Sequence, residues 1–360
     1  MPVEITARDY SLIGRNSKLA EEQGLVSADW YATPMPRKRL KELMQRKDGA
    51  AIRDTLLWFL LLVGAGFIAY HAWATWWAIP AFALYGVLYG SAADSRWHEC
   101  GHRTAFRSAW MNDVVYQISS FLLLRESTPS RWSHIRHHTD TIIVGRDPEI
   151  QVPRPPDLLG AALNLFNLKN GPKELRKMVI HSFGRLTAEE KTFIPDSERS
   201  KVYWIARLYL LILAGVVGCS LARRSILPLL FIGLSSFYGA WLLLVFALTQ
   251  HAGLAENVLD HRLNSRTVYL NPAFRFLYWN MNYHVEHHMF PMVPYHALPA
   301  LHEEVKADLP PAYHGFREAY GEIVPTLLKQ LKDPTYYARR ELPPSARPLP
   351  TEMGAATAVV

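Results

Sequence analysis

Fifteen histidines occur in this 360-residue chain, and eight of them fall into three tight clusters. They are His98 and His102 in HECGH, His134, His137 and His138 in HIRHH, and His284, His287 and His288 in HVEHH. A ninth, His251, closes an apolar run in TQHAG. Imidazole is the commonest side-chain ligand of transition metals. On a helix, residues three or four apart share a face. His98 and His102 are therefore expected to hold one metal together, and His134 to pair with either His137 or His138. Adjacent residues point about 100° apart at 3.6 residues per turn, so His137 and His138 suit two different metals. The same logic holds for His284, His287 and His288. Nine rings are too many for one ion and enough for two. The expectation is a two-metal site in which two HxxHH units face each other, closed by the HxxxH pair and His251. His71, His181, His261, His296, His302 and His314 read as surface or hydrogen-bonded core residues.

Imidazole suits zinc, copper, iron and nickel. Soluble di-iron bundles activate dioxygen with Glu and Glu-x-x-His ligands. Two irons in an all-imidazole shell with open positions would extend that chemistry with a more neutral ligand set. A metal-bound imidazole usually donates its other N–H to a carboxylate or carbonyl. Asp94, Glu99, Asp147, Glu149, Asn282 and Glu286 are candidates for that task. Glu99, Glu286, Asn282 and Asp147 are taken as the supporting residues of the chemistry, with Glu99 and Glu286 foremost because they lie inside the clusters.

HECGH also satisfies H-E-x-x-H, the zinc metalloprotease pattern, with Glu99 as general base. That reading explains two histidines and leaves six clustered ones idle. One zinc per chain would favour it, and two irons the oxygen chemistry. A non-catalytic metal or lipid carrier is a third class, which would bind metal and consume no dioxygen.

Elements must bring these clusters together. Hydrophobic residues make up 49% of the chain, yet mean hydropathy is near zero, so the apolar residues are concentrated. Residues 55–93 contain no Asp, Glu, Lys or Arg. As helix they would extend about 58 Å, against a hydrocarbon core of roughly 30 Å, which fits two passes. Residues 208–222 and 225–255 form a second uncharged pair, split by Arg223 and Arg224. The expected fold class is all-α: four transmembrane helices in two hairpins, with a cytoplasmic helical cap carrying the histidine-rich di-metal site. Two buried core helices of a soluble protein are the plainer alternative, but uncharged stretches this long are rare there. Trp73, Trp76 and Trp77 suit an interfacial belt at the first hairpin tip. Three segments are expected: a cytoplasmic N-terminal segment 1–50, a membrane domain 51–310, and a C-terminal helix with a disordered, proline-rich tail over 311–360.

Arg37, Lys38, Arg39, Lys41, Arg46, Lys47 and Arg53 precede the first apolar run, and the first hairpin tip carries no basic residue. The positive-inside rule then puts both termini and the loop from Asp94 to about Lys201 in the cytoplasm. On that topology all nine histidines emerge on one side of the membrane. No signal peptide is expected, since the apolar run starts too late. Cys100 and Cys219 do not make a disulfide framework. The net charge of +7 comes with no RNA-type motif, so nucleic acid is not expected as a partner. It reads as attraction to anionic headgroups or an acidic protein.

HECGH, HIRHH and HVEHH resemble the three histidine boxes of the integral-membrane fatty acid desaturase and hydroxylase superfamily. The resemblance covers roughly residues 50 to 310, including the intervening hairpin and the late histidine. It implies that His98, His102, His134, His137, His138, His251, His284, His287 and His288 ligate two irons, with dioxygen as co-substrate and no bound organic cofactor. It implies abstraction of hydrogen from an unactivated C–H bond of an acyl chain or other lipid, giving a double bond or an alcohol. The stretches TQHAGLAENVLDHR and WNMNYHVEHHMFP resemble a bacterial branch associated with hydrocarbon oxygenation and rhizopine O-demethylation, which would imply a smaller substrate and a bacterial inner membrane. The chain shows no CxxC pairs, dinucleotide fingerprint or HPGG segment. An external donor, ferredoxin with ferredoxin reductase, is therefore expected. The basic stretch from Arg37 to Arg53 is either its docking site or a topology signal.

Overall fold

A computed structural model describes residues 8–348. Those residues are helical, and β-structure is limited to two isolated bridges, Thr267 with Tyr283 and Val268 with Tyr313. Two helical stretches, Arg37–His71 and Asp196–Arg223, are long and apolar enough to cross a membrane. Within them the helices Asp48–His71 and Arg199–Arg223 have 24 and 25 residues, about 36–38 Å at 1.5 Å per residue. Only 28% and 17% of their apolar windows are buried in the protein, the reverse of a soluble core helix. Leu60, Val63 and Phe67 on the first, and Leu211 and Leu221 on the second, stand exposed. Trp76 and Trp77 at the first hairpin tip are also exposed. Contiguous apolar surface of this kind calls for a non-aqueous neighbour.

The two returning arms, expected as further transmembrane helices, are not among the helices long and apolar enough to cross a membrane. After the first tip the chain runs as helix Ala78–Gly86, a π-turn Val87–Ser91, and helix Ala92–Gly101. The uncharged run 225–255 is divided into Leu227–Phe231, Ser235–Tyr238 and Trp241–His251. Gly233, at φ +93°, makes the first break. At the second, Gly239 packs so closely on Gly86 that an added Cβ would lie 2.0 Å from the Gly86 oxygen. Ser91 Oγ donates to the Gly239 carbonyl at 2.6 Å and accepts from Leu243 N at 2.8 Å. The small residues Gly86, Gly90 and Ser91 thus serve close backbone packing. Charge pattern alone could not show these breaks, because they arise from φ and from hydroxyl-to-carbonyl bonds inside an apolar run.

π-turns shift the phase of a helix and often stand at functional sites. Here the π-turn directly precedes the helix that carries His98. The core runs from Trp58 and Leu62 through Tyr89, Trp97 and Tyr116 to Phe246, Trp279, Tyr295 and Leu301. It thereby ties the first long helix to the cap, while Tyr209 of the second packs with Leu124 and Met178. The C-terminal stretch is more ordered than its prolines suggested. Ser345 Oγ donates to the Ala307 carbonyl and Arg347 N to Asp308, both at 2.7 Å. Pro350 and the remainder of the expected disordered tail lie outside the described residues.

Candidate metal centre

Four short elements carry the histidines. His98 lies in Ala92–Gly101, with His102 as its C-cap. His134, His137 and His138 lie in Ser127–Thr139, His284, His287 and His288 in His284–Met289, and His251 ends Trp241–His251. All nine rings converge, and they form two groups. His98, His102, His134, His138 and His287 make one; His137, His251, His284 and His288 make the other. In each group the ligand atoms lie within 4.8 Å of one another. Within HIRHH the i,i+4 pair His134 and His138 stays together, and His137 turns to the other group. Within HVEHH the pair His284 and His288 stays together, and His287 crosses over. Each box lends its middle histidine to its counterpart.

The geometry fits a cation in each group. Nε2 atoms approach one another at 3.0 Å for His102 and His134, 3.2 Å for His287 and His138, 2.9 Å for His284 and His251, and 3.0 Å for His288 and His284. A metal–imidazole bond of about 2.1 Å makes neighbouring nitrogens about 3 Å apart at right angles. The far ring nitrogens identify the tautomers. His137 Nδ1 donates to Asp147 at 2.8 Å, His134 Nδ1 to Glu149 at 2.9 Å, and His251 Nδ1 to the Asn264 carbonyl at 2.8 Å. Carboxylates and carbonyls only accept, so these protons sit on Nδ1 and leave lone pairs on Nε2. Thr141 Oγ1 spends its proton on the His137 carbonyl and can accept from His288 Nδ1 at 3.3 Å. Lone pairs aimed at one point repel unless a cation lies between them.

Electrostatics agree. Burial, then the neighbouring imidazoles, hold His138, His284, His287 and His288 well below the usual histidine range. These rings are neutral, the form that ligates. Burial also lowers His137, but the Asp147 carboxylate outweighs it and raises the ring. Burial opposes ionisation of Glu149, whereas His134, His137 and the Ser133 hydroxyl bring its carboxyl down to about 2. One carboxylate thus stands behind each group: Asp147 behind the four-histidine group and Glu149 behind the five. A small cavity of about 10 Å³, lined by Trp97, Tyr116 and Arg131, touches His102 and His134. It has room for one water-sized molecule.

Of the other sequence candidates, Glu99 stands near a ring and the rest lie elsewhere. Glu286, expected behind a ligand, instead bonds His302 Nδ1 and accepts from Thr267 Oγ1 at 2.6 Å. Asn282 donates to the Val268 carbonyl at 2.8 Å, and Asp94 pairs with Arg125 at 2.6 Å. Glu99 accepts from Thr104 Oγ1 at 3.0 Å and Tyr295 N at 3.1 Å, with its other oxygen 3.8 Å from His287 Nδ1. Membership of a box therefore marked Glu99, which faces the far nitrogen of His287, but not Glu286, which points away to His302. The carbonyl of Asn264 and the hydroxyl of Thr141 were missed altogether; a backbone carbonyl leaves no mark in residue type. His181 is a buried core residue, held by Glu126 at 2.6 Å and Glu190 at 2.9 Å.

Comparison with known proteins gives the same direction. The family model described as fatty acid desaturase matches residues 74–320. A Delta(9) fatty acid conjugase-like enzyme of Dimorphotheca sinuata is 26% identical over 269 residues, 64% of this chain and 69% of that protein. The Delta(5) fatty acid desaturase fat-4 of Caenorhabditis elegans is 25% identical over 75% of this chain and 65% of its own length. A bifunctional fatty acid conjugase/Delta(12)-oleate desaturase of Punica granatum is 34% identical over 28% of each chain. With its three boxes converged and more than half its length matched, this chain belongs to the fatty acid desaturase family.

Proposed function

We propose that this protein is a membrane-bound, di-iron, dioxygen-dependent oxidoreductase that desaturates or hydroxylates an acyl chain at an unactivated C–H bond. The observation that carries the reading is the division of nine imidazoles into groups of five and four with inward-facing Nε2 atoms. His98, His102, His134, His138 and His287 would hold one iron, and His137, His251, His284 and His288 the other. When bound, two irons supply the dioxygen activation that an unactivated C–H bond requires. The residues set the conditions for it. Two divalent ions would bring four positive charges into this buried site. Asp147 and Glu149 return two negative charges through hydrogen-bonded imidazoles and fix the ring planes. The buried surround keeps bulk water from the centre.

Glu99 argues against the protease reading. It faces the Nδ1 side of His287, away from the side on which Nε2 atoms converge, so it cannot act as base on a ligand there. The paired uncharged runs would make four membrane passes, and the basic residues before the first span would put both termini and the metal centre on the cytoplasmic side of a bacterial membrane. Electrons come from ferredoxin and its reductase. The test is to purify the protein with iron, measure metal per chain, and supply ferredoxin, reductase and dioxygen. Two irons and an oxidised acyl product are expected. One zinc, or no dioxygen consumption with any donor, overturns the reading. A demethylated ether or hydroxylated hydrocarbon in place of an acyl product would reassign the substrate to a smaller molecule.

A further inference from the structure

The N-terminal segment lies across the four-histidine group. Leu25 and Ala20 pack with Ile143, and Trp30 and Leu259 close against them. Tyr31 N donates to the Leu259 carbonyl at 3.0 Å, and Trp30 Nε1 to the Thr139 carbonyl at 3.0 Å. These bonds fix the Trp30 indole flat on His261, with centroids 4.3 Å apart and planes 4° apart. His261 is buried, and its Nδ1 has no hydrogen-bond partner. Its centroid lies 5.0 Å from that of His288, a member of the four-histidine group. His261 itself belongs to neither group. Trp30 is half-buried, so one end of this stack reaches solvent and the other reaches the metal centre.

We propose that Trp30 and His261 form the path by which an acidic one-electron donor protein of the iron–sulfur class reduces the metal centre. This rests on the oxidoreductase reading above. Three aromatic rings in sequence replace saturated side chain and solvent along the line from the surface to His288. Neither ring is oxidised or reduced; their π systems couple donor to acceptor. In each encounter the donor cluster loses one electron and the metal pair gains one. Two encounters and two solvent protons, with the two hydrogens taken from the substrate, reduce one dioxygen to two waters and leave one new double bond. The donor is expected to be acidic because the chain carries a net charge of +7, which steers an anionic partner.

The experiment compares Trp30→Leu, which keeps apolar bulk, with Trp30→Phe, which keeps an aromatic face. Anaerobic stopped-flow follows reduction of the iron-loaded protein by a plant-type [2Fe–2S] ferredoxin and, separately, by dithionite. Iron per chain is measured in parallel. Trp30→Leu is expected to slow ferredoxin-driven reduction severalfold, with dithionite-driven reduction and iron content unchanged, and Trp30→Phe to restore most of the rate. His261→Leu against His261→Phe repeats the comparison one ring deeper should Trp30→Leu fail to fold. An unchanged ferredoxin rate in the leucine variants overturns the path. So does equal slowing with both reductants, or loss of iron, either of which makes the stack a structural clasp. Failure of dithionite-reduced wild-type protein to consume dioxygen instead overturns the oxidoreductase reading, and this one with it.

Discussion

Asp147 Oδ2 accepts from His137 Nδ1 at 2.8 Å and, at the same distance, from the backbone N–H of Ile142. One carboxylate therefore fixes both a ring of the four-histidine group and the turn that follows its helix. Replacing it with Asn keeps the shape and removes the charge. Such outer partners typically contribute about 10–100-fold in metal affinity. Asp147→Asn is expected to weaken metal binding by about that factor, with loss from the four-histidine group first. Glu149→Gln is expected to do the same at the five-histidine group. Metal retained per chain after graded chelator treatment, read with the absorption of the remaining ion, checks both.

The buried triad of Glu126, His181 and Glu190 makes a pH prediction. Burial works against a charged His181, but the two carboxylates outweigh it and raise the ring to about 9. A histidine raised above its unfolded value of about 6.5 stabilises fully below that pH and ceases to do so as pH rises through its folded value. The melting temperature of the detergent-solubilised protein is therefore expected to fall between about pH 6.5 and 9. In His181→Gln that slope should flatten. A parallel slope in the two proteins would assign the pH dependence to other groups.

Gly239, just before the helix ending at His251, packs on Gly86 in the helix that leads through the π-turn to His98. A Cβ there meets the Gly86 oxygen at 2.0 Å, which backbone cannot yield cheaply. Gly239→Ala is expected to cost about 1–3 kcal/mol through overpacking. It should also lower metal occupancy, since the histidines on the two helices separate. Thermal unfolding and metal analysis read the two effects, and full occupancy with a lowered melting temperature would uncouple the packing from the site.

Leu60 distinguishes a lipid-facing helix from an exposed one. It is 69% exposed in the first long helix, so on a soluble protein an Arg there would be nearly neutral. In a bilayer Leu60→Arg is expected to oppose insertion by about 3–4 kcal/mol. The inserted fraction of the isolated hairpin in microsomes measures it.

How much of this was legible in sequence depends on what each feature is made of. That His137 and His138 serve different ions, like His287 and His288, follows from helical spacing, because adjacent residues on a helix cannot face one ion. Which of each pair stays with His134 or His284, and the exchange of His137 and His287, does not follow from spacing, because i+3 and i+4 share a face and only the fold sets the two helices against each other. The two long helices were visible as charge-free runs. The division of 225–255 was not, because Gly233 and Gly239 act through backbone conformation and close contact. Among the acidic candidates, Glu286 drew attention by sitting in a box, yet its partner is His302, sixteen residues on. Asp147 and Glu149 hold ligands from the loop after HIRHH. Only the folded turn brings them behind the rings.

The crossing-over of His137 and His287 has a consequence for how such a protein can change. Because the Ser127–Thr139 and His284–Met289 helices each serve both groups, excising either one strips donors from two coordination spheres at once. A mononuclear descendant is not reached by trimming a cassette. On the two-metal reading, the interleaving of the chain favours keeping both ions, and substitutions that reshape the substrate pocket would accumulate around a core that is hard to simplify.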